Sequence, residues 1–188
     1  MNYSRSTQSD FEHGPINIVS NGFLLRSLTP DDVTPRFVEW LNAPEMMAGL
    51  NLSNIHFDEE QLRQYIKQFD HKKHYFIGIF DVKTKKLLGF YTLDINLVHK
   101  VGNITAGIGE KMHPAKTVLW ATIDALLDYF YQFRNVDKIS ARVLAKNYAM
   151  LFCFVRNPRF VLEAKLKKEC IGPAGERMDI LLFSSFKE

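Results

Sequence analysis

The residues best placed to do chemistry lie in GEKMHPAKTVLWATIDALLDYFYQF, residues 109–133. This segment predicts a strand end, a short loop and a long apolar helix over 116–133. Lys116 stands at the helix start, where the partial positive charge of the backbone N–H groups normally attracts Asp or Glu. A bound anion would reverse this cost, because Lys116, the Thr117 hydroxyl and free N–H groups would converge on it. The alternative is that Lys116 points to solvent and the cost is tolerated.

Two carboxylates are candidates for proton transfer. Glu110 follows Gly-Ile-Gly at a strand end, immediately before the loop, and Asp94 lies on the preceding strand. Strand alternation puts Thr92, Asp94 and Asn96 on one face, where they could line a pocket. For Glu110, a strand-end glutamate facing water is an equally good interpretation.

The elements that must position these residues predict an α/β fold. Its centre is a mixed, mostly antiparallel sheet of about seven strands, with helices packed on both faces. Strands are predicted over 22–28, 74–81, 86–96, 102–110, 138–144, 160–169 and 177–185. Helices are predicted in DDVTPRFVEWLNA and PEMMAGL and over 58–69, 116–133 and 147–157.

The composition and net charge indicate the domain organisation, the partners and the location of the chain. We expect a poorly ordered tail over 1–15 and a single domain over 16–188, since 46% of the 188 residues are hydrophobic. The net charge of +3 is mild, so neither a nucleic-acid nor a membrane partner is expected. The two cysteines form no CxxC pair, which predicts no metal site and a reducing, cytoplasmic location.

The order of elements and several sequence motifs resemble the GNAT superfamily of N-acetyltransferases. The nearest branch contains ribosomal-protein N-terminal acetyltransferases and some amino-sugar acetyltransferases. The resemblance covers about residues 22–185 and rests on FLLRSLTPDDVTPRFVEWLNAPEMM, LLGFYTLDIN, ITAGIGE and ATIDALLDYFYQFRNVDKISARVLAKN.

This resemblance implies transfer of an acetyl group from acetyl-coenzyme A to a primary amine, by direct attack in a ternary complex. It implies that the pyrophosphate binds at the start of the main helix and that a strand N–H near Ile108 polarises the thioester. The cofactor-binding residues it implies are Ile108, Lys116, Thr117, Val118 and Asn147. Asn147 also precedes the last helix and can cap it, a structural role that is compatible with binding the cofactor.

The resemblance also suggests how the acceptor is handled. Glu110 would remove the ammonium proton, with Asp94 in reserve. Trp40, Met46 and Met47 belong to the helix pair that shapes the acceptor site in the family, but core packing is the safer interpretation for Trp40 and the methionines suit either role. The acceptor is expected to be a small-molecule or peptide amine, and the protein a monomer or homodimer.

Two departures from the family pattern keep a second hypothesis open. The cofactor loop usually reads Arg/Gln-x-x-Gly-x-Gly/Ala, whereas residues 114–119 read PAKTVL and contain no glycine. After Asn147, Met150 replaces a small residue and Phe154 replaces a tyrosine proposed to protonate the leaving thiolate. The alternative function is therefore a catalytically inactive binding or regulatory protein with the same fold.

Overall fold

A computed structural model of the protein describes residues 13–52, 55–109, 115–172 and 174–188. The strands are β1 (Asn17–Ser20), β2 (Phe23–Ser27), β3 (His74–Asp81), β4 (Leu87–Asn96), β5 (Val101–Ile108), β6 (Lys138–Leu144), β7 (Val161–Ile171) and β8 (Arg177–Phe186). The α-helices are α1 (Pro35–Leu41), α2 (Pro44–Leu50), α3 (Glu59–Ile66), α4 (Ala115–Phe133) and α5 (Tyr148–Val155). The strands form one sheet in the order β1-β2-β3-β4-β5-β6-β8-β7.

The predicted fold class is confirmed, with one additional strand. Among the described strand pairs only β5 and β6 run parallel, and every other pair is antiparallel. The prediction of about seven strands missed β1, which is four residues long. Asn21 and Gly22 join β1 to β2 in a two-residue turn with φ of 48° and 84°. This Asn-Gly pair is a strong hairpin signal that could have revealed the strand.

Helices cover both faces of the sheet, as predicted. On one face, α4 buries Leu126 and Phe130 against residues of the central strands. On the opposite face, α1 and α3 bury Phe37, Trp40 and Leu62 in a second cluster. The apolar positions of these helices recur at three- and four-residue spacing, which gives each helix a single face to bury.

Side-chain caps fix the starts of the helices on the second face. Thr34 accepts a hydrogen bond from the Phe37 N–H at 3.2 Å and caps α1. At α3, Asp58 and Gln61 form a capping box, each side chain accepting from the other's backbone N–H. These caps satisfy N–H groups that would otherwise lack partners in the first helical turn.

The parallel pair β5–β6 separates before either strand ends. Its pairing runs from Val101 opposite Lys138 to Ile104 opposite Ala141. Beyond that point β5 stays on β4 as far as Ile108, while β6 stays on β8 as far as Leu144. The two strands therefore diverge and leave a V-shaped opening in the middle of the sheet.

Residues 1–12 of the predicted tail lie outside the described residues. Gly14 is hydrogen bonded to the body of the domain, through its N–H to His71 O at 3.1 Å and through its carbonyl to Arg134 at 3.0 Å. In the described ranges no helix is long and apolar enough to cross a membrane. Nor do those ranges contain a group of three or more His, Cys, Asp or Glu side chains able to hold a metal ion.

Candidate functional site

The opening between β5 and β6 forms a cleft of about 580 Å³. One wall is formed by residues 104–109, which comprise the last part of β5 and the glycine that follows it. The other walls are residues 141–144 of β6, the first half of α5 and, on the far side, parts of α1 and α2. The cleft is within the size range of small-molecule and cofactor sites. It is bordered by the backbone of two strands that no longer pair with each other.

Ile108 directs a backbone group into this cleft. The neighbouring Gly109 N–H donates to Leu88 O on β4 at 3.0 Å. Successive residues of a strand point their N–H groups to opposite sides, so the N–H of Ile108 points away from β4 and toward the opening. Ile108 therefore lines the cleft with its N–H facing the opening, and its role in polarising a thioester stays a prediction.

Asn147 lies at the opposite wall and caps α5. Its Oδ1 accepts from the Met150 N–H at 3.2 Å, and its Nδ2 donates to Gly49 O on α2 at 3.5 Å. The side chain therefore bridges α5 and α2 across the cleft that it lines. Its amide still has hydrogen-bonding capacity to offer a ligand.

The start of α4 contains the other predicted cofactor residues. α4 begins at Ala115, and its first turn carries no acidic residue. Thr117 is exposed, whereas the Val118 side chain is fully buried in the core, so Val118 can contribute only backbone groups. The backbone of Lys116 lies in this first turn, and its side chain lies outside the described residues. Glu110 lies outside them as well.

Asp94 is not brought to the cleft. It is exposed on β4, opposite His74 of β3, and its Oδ1 lies 2.7 Å from His74 Nδ1. The predicted companions Thr92 and Asn96 also fall outside the cleft lining. Alternation assigned these residues to one face correctly, but the cleft opens nearer the other end of the strand.

The candidate acceptor residues on α1 and α2 do not all line the cleft. Trp40 and Met46 line the cleft, whereas Met47 is buried in the core outside the lining. Sequence reasoning missed Glu45, an exposed carboxylate that also lines this wall. Glu45 belongs to the WLNAPEMM segment that carries the family resemblance, and this membership is the signal that could have indicated it.

Phe154 stands at the position where the family resemblance leads us to expect a proton-donating tyrosine. Its ring stacks on Phe183 at 5.7 Å and meets Phe160 edge-on at 4.9 Å, which fixes it in the core beneath the cleft. No described residue of the lining is a tyrosine, cysteine or histidine. The described lining therefore offers no side chain of these three kinds as a proton donor.

The lining contains two charged side chains among its described residues, Glu45 and Arg142. Arg142 forms an ion pair with Glu169 at 2.5 Å, which neutralises it. Glu45 has no hydrogen bond or ion pair within the described part of the chain.

Several solved acetyltransferases share this fold. Ribosomal-protein-S5-alanine acetyltransferase from Vibrio fischeri superposes with a TM-score of 0.77 at 16% identity, covering 92% of this chain and 97% of its own. Spermidine N-acetyltransferase from Vibrio cholerae, in complex with CoA and spermine, gives 0.76 at 22% identity, covering 88% and 96%. RimL, a ribosomal alpha-N-protein acetyltransferase in complex with coenzyme A, gives 0.79 at 16% identity, covering 90% and 96%.

Sequence comparison identifies the family. No curated protein sequence matches the chain. The family model described as an acetyltransferase (GNAT) domain matches residues 23–156, a range that runs from β2 through α5 and contains both strands of the cleft. With this match over most of its length, the chain belongs to the GNAT acetyltransferase family.

Proposed function

We propose that this protein transfers the acetyl group of acetyl-coenzyme A to a primary amine. The observation that carries the proposal is the divergence of β5 from β6 beyond Ile104 and Ala141. It leaves backbone donors and acceptors of two strands facing a cleft of about 580 Å³. The proteins of similar fold act, by their names, on a ribosomal protein or on spermidine, so protein and polyamine amines both belong in an acceptor screen.

The residues present fit coenzyme A. Its pantetheine arm contains amides, which unpaired strand edges can bind as they would bind an added strand. Ile108 and Asn147 would hold this arm from opposite walls of the cleft. α4 begins shortly after Gly109, at Ala115, and the first-turn N–H groups with Lys116 and Thr117 would hold the pyrophosphate.

The acyl donor supplies a thioester. The acceptor nitrogen must be neutral to attack it, so its ammonium proton passes first to Glu110 or to water. The neutral nitrogen then forms the carbon–nitrogen bond, the carbon–sulfur bond breaks, and the nitrogen gives its second proton to water as the amide forms. The Ile108 N–H stabilises the charge that develops on the acyl oxygen. A thiol has an ordinary pKa of about 8.5, so sulfur can leave as thiolate, and Phe154 in place of a proton donor does not block the reaction.

Calorimetric titration with acetyl-coenzyme A tests the cofactor site. We expect micromolar binding that Lys116→Glu weakens about fivefold or more, because a carboxylate at the helix start repels phosphate. Lys83→Glu is the matched control, since it makes the same charge change at an exposed position in the β3–β4 turn. No binding up to about millimolar concentration, or equal losses in both variants, would contradict the site.

Thiol release in the presence of an amine panel tests turnover. The proposal predicts release of coenzyme A that depends on the amine, together with acetylated amine detected by mass spectrometry. Tight binding of acetyl-coenzyme A without release for any amine would favour the inactive binding or regulatory protein. The absence of a phenol, thiol or imidazole from the described cleft lining is the observation behind that second candidate.

A further inference from the structure

We propose that the cleft continues into a small apolar cavity that holds the tail of an acyl group longer than acetyl, so that butyryl-coenzyme A is a donor as well. The inference rests on the proposed function and adds the chemical class of the donor. It starts from a second cavity, of about 10 Å³, in the core beside the cleft. Ile104, Ala106 and Phe154 line both spaces and form the boundary between them.

The helices on this face of the sheet enclose the cavity with apolar side chains. α4 contributes Leu119 and Ile123, and α5 contributes Cys153. Each of these three residues is at most 5% exposed. The cavity therefore lies within the core, and a group that enters it from the cleft leaves water.

The polar groups that line the cavity already have hydrogen-bond partners. They form three pairs, which are Tyr91 Oη with Thr122 Oγ1 at 2.8 Å, Trp120 Nε1 with Cys153 O at 3.2 Å, and Asn157 Nδ2 with Asp124 Oδ1 at 3.1 Å. A buried water needs about two to four polar partners, and these groups are engaged with one another. An apolar cavity of this size stays dry and takes up about one methyl-sized group favourably.

The geometry of the cleft directs an acyl tail toward this cavity. The pyrophosphate is proposed to bind where α4 begins, at the open end of the V, so the pantetheine arm enters from that end. Beyond the Ile108 N–H the cleft narrows to its closed end, where β5 and β6 pair at Ile104 and Ala141. Strand alternation puts the side chains of Ile104, Ala106 and Ile108 on one face. Ala106 presents only a methyl group, so a tail that extends from a carbonyl at Ile108 meets the cavity there.

The longer acyl group changes the donor and leaves the transfer as described above. The neutral amine nitrogen bonds to the acyl carbon, the carbon–sulfur bond breaks, and coenzyme A leaves as thiolate. One proton leaves the ammonium before the attack, to Glu110 or water, and the second passes to water as the amide forms. Phe154 keeps the boundary of the cavity free of a hydroxyl group, which suits a hydrocarbon tail.

The test is a chain-length series measured by calorimetry in the absence of amine. Acetyl-, butyryl- and octanoyl-coenzyme A are each titrated into the protein. We expect butyryl-coenzyme A to bind about tenfold more tightly than acetyl-coenzyme A, because two further methylene groups are buried. Octanoyl-coenzyme A should lose that gain, since its longer tail exceeds a cavity of about 10 Å³.

Two variants fill the cavity from different helices. Cys153→Leu fills it from α5, at a residue outside the cleft lining, and Leu119→Phe fills it from α4. We expect each variant to bind butyryl-coenzyme A no more tightly than acetyl-coenzyme A, with the affinity for acetyl-coenzyme A within about twofold of wild type. Cys170→Leu is the matched control, because it makes the same change as Cys153→Leu on β7, outside the lining of both spaces.

The wild-type series decides the matter even where a filled variant fails to fold. Butyryl-coenzyme A that binds no more tightly than acetyl-coenzyme A overturns the inference, as does a gain that continues to octanoyl. A butyryl preference that survives in a folded filled variant, or that is lost equally in Cys170→Leu, overturns it too. Failure to bind any of the three thioesters sinks the proposed function itself, whereas binding of acetyl-coenzyme A without a butyryl preference sinks only the acyl cavity.

Discussion

The indole of Trp40 lies directly against Gly109, so that a β-carbon on residue 109 would fall 1.8 Å from Cε3 of the ring. Trp40 is held in this place by Phe90, whose ring stacks with it at a centroid distance of 6.4 Å. Gly109 is held in turn by its N–H bond to Leu88 O. The contact joins α1 to the end of β5 and thereby sets the distance between two walls of the cleft.

Gly109→Ala should therefore destabilise the protein. The added methyl group cannot fit unless the indole shifts, and such overpacking typically costs 1–3 kcal/mol, about the size we expect here. Urea denaturation followed by circular dichroism measures the free energy of unfolding. We also expect weaker binding of acetyl-coenzyme A, because the wall formed by Trp40 must move.

Gly102→Ala provides the control for that change. It lies on β5, the strand that Gly109 follows, and its added β-carbon would meet Ile139 and Leu93 at 3.4–3.7 Å, an ordinary contact. We expect its free energy of unfolding to stay within about 1 kcal/mol of wild type. If Gly109→Ala is as stable as Gly102→Ala, Trp40 does not restrict residue 109.

The two carboxylates proposed from the sequence should behave differently in turnover. Glu110→Gln is expected to lower kcat by about 10²-fold, as for a lost general base. Asp94→Asn should leave kcat within about twofold, because Asp94 pairs with His74 at the surface and does not line the cleft. Steady-state kinetics with any accepted amine gives both values. Unchanged turnover in Glu110→Gln would remove it from the mechanism, and a large loss in Asp94→Asn would reinstate Asp94.

Local periodicity accounts for the parts of the fold that were predictable. The strands at 74–81 and 138–144 were predicted with the bounds that the structure shows, since each is a β-type run between clear turn signals. The strand β1 was missed because four residues are too few to display alternation. Hydrophobic periodicity is a property of neighbouring residues along the chain. It predicts a strand or helix wherever the run of alternating or helix-spaced apolar residues is long enough.

The cleft was only partly predictable, because it is made by non-local contacts. Alternation gave the correct shared face for Thr92 and Asp94, yet it says nothing about where along β4 a pocket opens. The position of the pocket is determined by the point at which β5 and β6 stop pairing, after Ile104 and Ala141. Likewise, the bridge from Asn147 to Gly49 joins residues 98 positions apart, and no local pattern predicts it.

The carboxyl group of Asp70 should give the protein an acid-sensitive component of stability. Its Oδ1 accepts from the backbone N–H groups of Lys72, Lys73 and His74 at 2.8–2.9 Å. Partial burial alone would raise the pKa of Asp70, but these three donors and the charge of His74 outweigh it and lower the pKa to about 2. A lowered pKa in the folded state means stability that is present above the ordinary value of 3.8 and is lost as pH falls toward 2.

Comparing wild type with Asp70→Asn over pH measures this component. The difference in free energy of unfolding should be largest above about pH 4 and should shrink as the pH falls from there toward 2. Titration of the Asp70 carboxyl carbon by NMR reports the pKa directly. A midpoint near the ordinary value, or a difference that does not change with pH, would show that the three hydrogen bonds do not favour the charged form.

Asn147 offers a test that separates a helix cap from a ligand contact. Asn147→Ala removes the acceptor for the Met150 N–H and should cost about 1 kcal/mol of stability. Asn147→Ser keeps a capping oxygen and should restore most of that stability, but it lacks the amide that reaches toward Gly49 and the cleft. We expect both variants to bind acetyl-coenzyme A about threefold more weakly or worse, the size of one lost neutral hydrogen bond. Since serine preserves the cap, wild-type affinity in Asn147→Ser would show that Asn147 serves the helix alone.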